Sequence, residues 1–351
     1  MARRRFRGAQ IVWLLAAGVA LAGGPEPAGR TAGGTFVNPI GPGADPWVIR
    51  YDGAYYWCQT ERNVGVAVWR SERLTEFGEK HVVWRAPKSG PHSAQVWAPE
   101  LHRLDGKWYI YTCASDGHNE NHRAIVLEAE GDDRCGAFRF KAELYTGDDP
   151  QLRVDNRWAI DLTVLEEGGR RYAVWSGWEK NEDVQYLYIA PLANPWTIGG
   201  PRVRLCANDD YGWERVGESA AGRGLNEAPQ VLQRGGRTFL VYSCSGSWEP
   251  AYKLGMLALR LGGDPLVPGD WTKSAEPVFA SAGEVFGVGH CCFTKSPDGS
   301  EDWLVYHAKV DRAPGWKRVI CLQPFGWSKA GVPRFGTPVP WGKSIAVPAE
   351  E

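Results

Sequence analysis

The stretch ADPWVIRYDGAYYWCQT, Ala44 to Thr60, holds a short extended run, an Asp-Gly pair and an aromatic run that is apolar almost throughout. That order reads as strand, tight turn, strand. The same phrase returns as APELHRLDGKWYIYTCAS (Ala98–Ser115), DLTVLEEGGRRYAVWSG (Asp161–Gly177), APQVLQRGGRTFLVYSCS (Ala228–Ser245) and CCFTKSPDGSEDWLVYHA (Cys291–Ala308). The turn glycines are Gly53, Gly106, Gly169, Gly236 and Gly299, spaced 53 to 67 residues apart. Each interval holds a small sheet, and a third strand is readable after every repeat at Gly65–Ser71, Arg123–Ala129, Gln185–Pro191, Lys253–Leu261 and Lys317–Phe325. Long amphipathic helical patterns are absent. Five such units make the chain all-β, a five-bladed β-propeller.

The copies share a layout but not a chemistry. Eight residues before each turn glycine stand Asp45, Ala98, Asp161, Ala228 and Cys291, with Glu227 and His290 one step earlier. In a propeller the first strand of each blade lines the central channel, so residues that open the repeats meet around one mouth. Asp45, Asp161 and Glu227 are thereby expected to converge. Alone, Asp45 before Pro46 reads as a turn residue. Asp161, between Ile160 and Leu162, is a carboxylate in an apolar setting that needs partners. Three carboxylates around one pocket cannot all ionise freely, so one stays protonated as an acid while another serves as a base. That division is the requirement of glycoside hydrolysis.

Composition agrees with a neutral ligand. Forty Lys and Arg against 41 Asp and Glu leave a formal charge of −1, and no basic run survives past the first residues, which argues against nucleic acid. Tryptophan occurs 18 times. Trp57, Trp108, Trp175 and Trp303 fall in strands and read as core, whereas Trp97, Trp178, Trp213 and Trp248 fall in loops, where indoles stack on sugar rings. Residues 1–22 combine a basic start, the apolar run Ile11–Leu21 and an Ala20-Leu21-Ala22 site, the pattern of a secretory signal peptide. An uncleaved anchor is the competing reading, and the arginines at the start hint at a twin-arginine signal. Residues 23–34 form a Gly/Pro/Ala linker, and 35–348 the propeller, with no accessory module expected. A secreted or periplasmic monomer, free of membrane after cleavage, follows as the expectation. Of eight cysteines, Cys58, Cys113 and Cys244 read as buried thiols, while Cys135 and Cys206, in or near loops, are the better candidates for a disulfide. The polar loop Asp116–Arg123 is a solvated loop or a substrate rim.

With these residues in view, the chain resembles glycoside hydrolase family 43 over about Thr35 to Val347. The resemblance rests on Asn38-Pro39 with Ala44-Asp45-Pro46, Trp97-Ala98-Pro99-Glu100-Leu101 with Gly106-Lys107-Trp108-Tyr109, Ala159-Ile160-Asp161, Asn226-Glu227-Ala228-Pro229 and Gly287-Val288-Gly289-His290. It implies an inverting hydrolase in which Asp45 is the general base, Asp161 raises and orients the acid, and Glu227 is the general acid, at a carboxyl separation of roughly 6.5–9.5 Å. It also implies that Arg318 reaches the pocket and that His290 contacts substrate or a structural Ca2+ in the channel, with no cofactor required for the chemistry. Trp47 and Trp97 are the expected sugar platform. Two departures from the family pattern, Ala228 for the usual Gly after the acid and Leu162 after Asp161, leave the carboxylates in place. The Ala-Asp-Pro-Trp opening and the Gln323–Trp327 ending resemble exo-acting α-L-arabinofuranosidases of arabinan or arabinoxylan. A β-xylosidase and a non-catalytic carbohydrate-binding propeller remain alternatives; a retaining, fructan-cleaving relative would carry a different first-blade phrase.

Overall fold

The computed structural model describes residues 34–151, 153–180, 184–216 and 224–351; the leader and nearly all of the linker read from the sequence lie outside them. Five antiparallel sheets follow one another along the chain. Blade 1 runs Trp47–Tyr51, Ala54–Thr60, Gly65–Ser71 and Glu79–Arg85; blade 2 runs Ala94–Leu104, Lys107–Ser115, Arg123–Ala129 and Phe138–Glu143. Blade 3 starts with Ala159–Glu167, Arg170–Trp178 and Gln185–Asn194, and blade 4 consists of Asn226–Arg234, Arg237–Cys244, Lys253–Leu259 and Trp271–Lys273. Blade 5 takes Gly289–Lys295, Asp302–Lys309 and Arg318–Trp327 from its own repeat. Its outer strand comes from the other end of the domain: Gly41 and Pro42 pair with Ile320 and Val319. Thr35–Val37 further pairs with Ser344–Ala346, so both ends of the propeller are tied by backbone hydrogen bonds.

The first hairpin of four blades closes on two residues with positive φ: Asp52-Gly53, Asp105-Gly106, Gly168-Gly169 and Gly235-Gly236. This is the turn whose twist matches that of the flanking strands, and it explains why Asp-Gly and Gly-Gly punctuate the sequence. Blade 5 differs, because Lys295 pairs with Asp302 across a six-residue connection.

A second repeat, in the backbone, is invisible in the residue types. Asp45, Ala98, Asp161, Ala228 and His290 all adopt positive φ, between 43° and 53°, at or near the start of the first strand. In blades 2 to 5 the register shifts at these points, between Trp97 and Glu100, Ile160 and Thr163, Glu227 and Gln230, and Gly289 and Cys292. Such bulges bend the innermost strand and re-aim the side chains beside the kink. Counting from the turn glycine gives the positive-φ residue in four blades but overshoots to Cys291 in the fifth, where the longer connection moves it to His290.

Five apolar clusters fill the five seams between blades. One joins blades 1 and 2 through Tyr56, Trp84, Trp108 and Leu127; the next joins blades 2 and 3 through Tyr111, Trp175 and Tyr188. Leu187, Tyr242 and Trp271 join blades 3 and 4, Phe239, Phe279 and Tyr306 join 4 and 5, and Trp57, Trp303 and Leu322 close the ring between 5 and 1. The four strand tryptophans read as core are buried here. Truncating one of them would cost about 3–5 kcal/mol. All eight cysteines are free thiols, Cys135 and Cys206 included, so the expected disulfide does not form. Cys206 instead lies 3.5 Å from Asn226 Oδ1. Among the described residues no helix is long and apolar enough to cross a membrane.

Candidate active site

The positive-φ positions bring residues from blades 1, 3, 4 and 5 to one end of the channel. The Oδ1 of Asp45 lies 3.0 Å from Arg318 Nη1 and 3.2 Å from His290 Nδ1. Asp161 accepts the main-chain N–H of Ala228, the neighbour of Glu227, at 3.1 Å. Glu227 accepts Tyr252 Oη–H at 2.7 Å on one oxygen and Gln185 Nε2–H at 3.1 Å on the other. Gln185 is steadied by Ser176 Oγ, which donates to Asn226 O. Behind this layer Glu214 is fully buried, joined to Lys273 at 2.7 Å and accepting from Asn226 Nδ2 at 3.0 Å and Tyr242 Oη at 2.9 Å. The residue preceding Glu227 is thus pinned to a buried ion pair.

The three carboxylates sit in different fields. Burial opposes ionisation of Asp45, but Arg318 and His290 outweigh it and hold its carboxyl well below the usual range. Burial raises both Asp161 and Glu227, and the charge of the other carboxylates adds to it. Asp161 and Glu227 therefore retain between them a proton that two solvated carboxylates would have lost at neutral pH. Burial alone would depress His290, yet Asp45, Asp161 and Glu227 together push it up to about 9. The site consequently holds an ionised carboxylate flanked by two cations, opposite a carboxyl that keeps its proton.

His307 was not singled out from sequence, and it underlies the Asp45 side. It is fully buried, and its Nδ1 accepts the main-chain N–H of Asp45 at 3.2 Å. Accepting there requires a neutral ring, in agreement with burial pushing His307 down to about 3. Its 3.3 Å approach to Asp45 Oδ1 is then a contact between two acceptors rather than an ion pair. Tyr252 stacks on His307 with ring centroids 5.4 Å apart and 11° between planes, while donating to Glu227. One aromatic side chain therefore links the supports of Asp45 and Glu227. No motif marks Tyr252, Gln185 or Ser176; their roles depend on contacts between strands.

Other expected residues separate. Trp47 is not at this mouth: it wedges between blades 1 and 2, its Nε1–H donating to Leu101 O at 3.0 Å. There it lines a cavity of about 630 Å³ at the hairpin end of the channel, with Arg50, His102, Gln230, Phe293 and Gly299. Asp45 stands before the strand in the left-handed region, so its direction does not carry over to Trp47, where the regular strand begins. Trp97 is partly exposed and lies against His122, ring centroids 4.0 Å apart. His122 is itself buried between the carbonyls of Asn119 and Gln95, which fastens the polar loop down beside blade 2. Trp178 closes its strand buried and stacked on Trp158, and Trp213 packs against blades 3 and 4 with its N–H on Ala275 O. Glu100 bridges His102 and Gln230 of blade 4, an internal brace rather than a fourth acid.

For a channel Ca2+, a hard cation that takes six to eight oxygens, the donor set is poor. His290 presents nitrogen, already paired with Asp45, and the described residues contain no group of three or more His, Cys, Asp or Glu placed to hold a metal. The residues present do not fit that ion.

The sequence description of Glycosyl hydrolases family 43 matches residues 36–333. The chain is 37% identical over 314 residues to alpha-L-arabinofuranosidase 43 of Humicola insolens, covering 85% of this chain but 62% of that protein. It is 37% identical over 275 residues to the extracellular exo-alpha-(1->5)-L-arabinofuranosidase of Streptomyces chartreusis, covering 76% and 80%. Among solved structures, the alpha-L-arabinofuranosidase from Lactobacillus brevis superposes with a TM-score of 0.79 at 32% identity, covering 88% of this chain and 98% of that one.

Proposed function

The chain belongs to glycosyl hydrolase family 43, and from that premise we propose that it is an inverting, exo-acting α-L-arabinofuranosidase that works outside the cytoplasm on arabinose-bearing plant polysaccharide or its oligosaccharides. The observation that carries this reading is the split in the fields around three converging carboxylates: Asp45 held ionised by Arg318 and His290, against Asp161 and Glu227 that keep a proton.

In this reading Asp45 takes a proton from a water that attacks the anomeric carbon. The bond to the leaving oxygen breaks as Glu227 gives that oxygen its proton, and no covalent intermediate forms. Asp161 acts on Glu227 in two ways. When the proton that the pair shares sits on Glu227, the charge left on Asp161 resists its loss, and the hydrogen bond from Ala228 N–H to Asp161 fixes the backbone that carries the acid. Tyr252 and Gln185 grip both Glu227 oxygens, so the carboxyl is oriented before substrate arrives, and the main-chain bond from Asp45 to His307 does the same for the base. Arg318 keeps Asp45 anionic at the expense of basicity, and it supplies donors to sugar hydroxyls beside the attacking water.

The test is release of 4-nitrophenol from the α-L-arabinofuranoside and the β-D-xyloside in parallel, for wild type, Asp45→Asn and Glu227→Gln. Arabinoside cleavage that each substitution lowers about 10²–10⁴-fold is expected. Preference for the xyloside would displace the sugar assignment, and turnover unchanged in both variants would overturn the assigned acid and base.

A further inference from the structure

We infer that Trp316, paired with Trp248, is the stacking platform for the sugar on the leaving side of the scissile bond, so that it selects oligosaccharides over simple glycosides; this rests on the reading above. Trp316 is a large indole left 64% exposed. Its neighbours place it: the Arg318 guanidinium, which holds Asp45, lies 5.4 Å from the Trp316 ring centroid, and the Trp248 ring lies 5.5 Å away at 51°. Trp248 belongs to the loop that follows the second strand of blade 4 and leads to Tyr252, the donor to Glu227. The pair thus joins loops of blades 4 and 5, one indole beside the arginine that holds Asp45 and the other in the loop that leads to the donor of Glu227.

The platform is braced rather than loose. Gly315, next to Trp316, donates its N–H to Trp248 O at 2.8 Å and accepts from Lys309 Nζ at 2.6 Å. Lys309 is 1% exposed, an ammonium buried beneath the loop with its charge turned to that carbonyl. On the other side Gly246 underlies the Trp248 indole so closely that a Cβ there would come within 2.7 Å of it. An indole held from two directions and left exposed is preorganised to bind, and the C–H face of a sugar ring is what such an indole face accepts.

The experiment compares kcat/KM on α-1,5-linked arabinotriose and on methyl α-L-arabinofuranoside, whose leaving group has no ring, for wild type, Trp316→Ala and Trp316→Phe. Trp316→Ala is expected to lower kcat/KM on arabinotriose about tenfold, the worth of one aromatic contact, and on the methyl glycoside less than threefold, with Trp316→Phe recovering most of the loss. Calorimetric titration of arabinotriose into Glu227→Gln, with and without Trp316→Ala, should show the same weakening without turnover. Equal losses on both substrates would place Trp316 at the cleaved sugar or in the fold, and no loss on either would remove it from the site; both overturn the platform. A wild-type chain silent on both substrates overturns the arabinofuranosidase reading itself, and the platform with it.

Discussion

Substituting Tyr252→Phe removes one oxygen atom from a fully buried ring and isolates what that hydroxyl does for Glu227, the proposed acid. The Tyr252 hydroxyl donates to Glu227 at 2.7 Å, a bond that favours the ionised carboxylate against the burial that raises it. Losing a hydrogen bond to a charged group is worth about 1.5–3 kcal/mol, and 1.36 kcal/mol corresponds to one pKa unit. Gln185 stays on the other oxygen and absorbs part of the change, so the Glu227 pKa should rise by about one unit. The sign is fixed by the role: an acid that must be protonated loses activity on the alkaline side, so a higher pKa carries the alkaline limb of kcat/KM to higher pH. Activity at the optimum should fall about tenfold, because the carboxyl is held from one side only. The ring remains to stack on His307, which keeps the Asp45 side intact. The assay is kcat/KM on the aryl arabinofuranoside from pH 4 to 10 with both limbs fitted. An alkaline limb that stays in place, or moves to lower pH, would refute the assignment of Glu227 as the acid under Tyr252 control.

The opposite limb belongs to Asp45. Arg318→Ala removes the nearer of its two cations, so the Asp45 carboxyl should rise by about one unit and the acid limb should move to higher pH, as fitted from the same profiles. Glu214→Ala leaves the Lys273 ammonium with Asp210 as its remaining carboxylate and strips the Tyr242 hydroxyl of its acceptor beside a buried void; at about 3 kcal/mol the melting temperature should drop by about 6–12 °C, read by calorimetry. Since Glu214 also holds Asn226 next to the acid, kcat at low temperature should fall as well. Finally, the unfolded protein should titrate as eight thiols with Ellman's reagent, and a reductant should leave the melting temperature unchanged.

The fivefold phrase announced the propeller because tight turns and strand periodicity are settled between neighbours in sequence: Asp52-Gly53 or Gly235-Gly236 adopts its turn whatever lies across the channel. The same phase placed Asp45, Asp161 and Glu227 at one mouth, and the third strands could be read nearly to their ends. Other features depend on partners hundreds of residues away. The outer strand of blade 5 is Gly41–Pro42, set by pairing with Val319 and Ile320, and no local signal in so short a segment declares it. The left-handed positions fall on Ala98 and His290 as readily as on Asp45, so residue type does not reveal them. Trp47 reads as a sugar platform because it stands two residues from Asp45, yet the left-handed turn at Asp45 breaks the phase between them and Trp47 packs into the seam with blade 2. Whether Cys135 and Cys206 could pair, and whether a tyrosine meets Glu227 or an arginine meets Asp45, is decided by packing between blades. Sequence determined which chemical groups the chain owns and the beat on which they recur; tertiary structure alone decided which of them touch, and touching is what separates an ionised Asp45 from the Asp161 and Glu227 pair, which keeps a proton between its members.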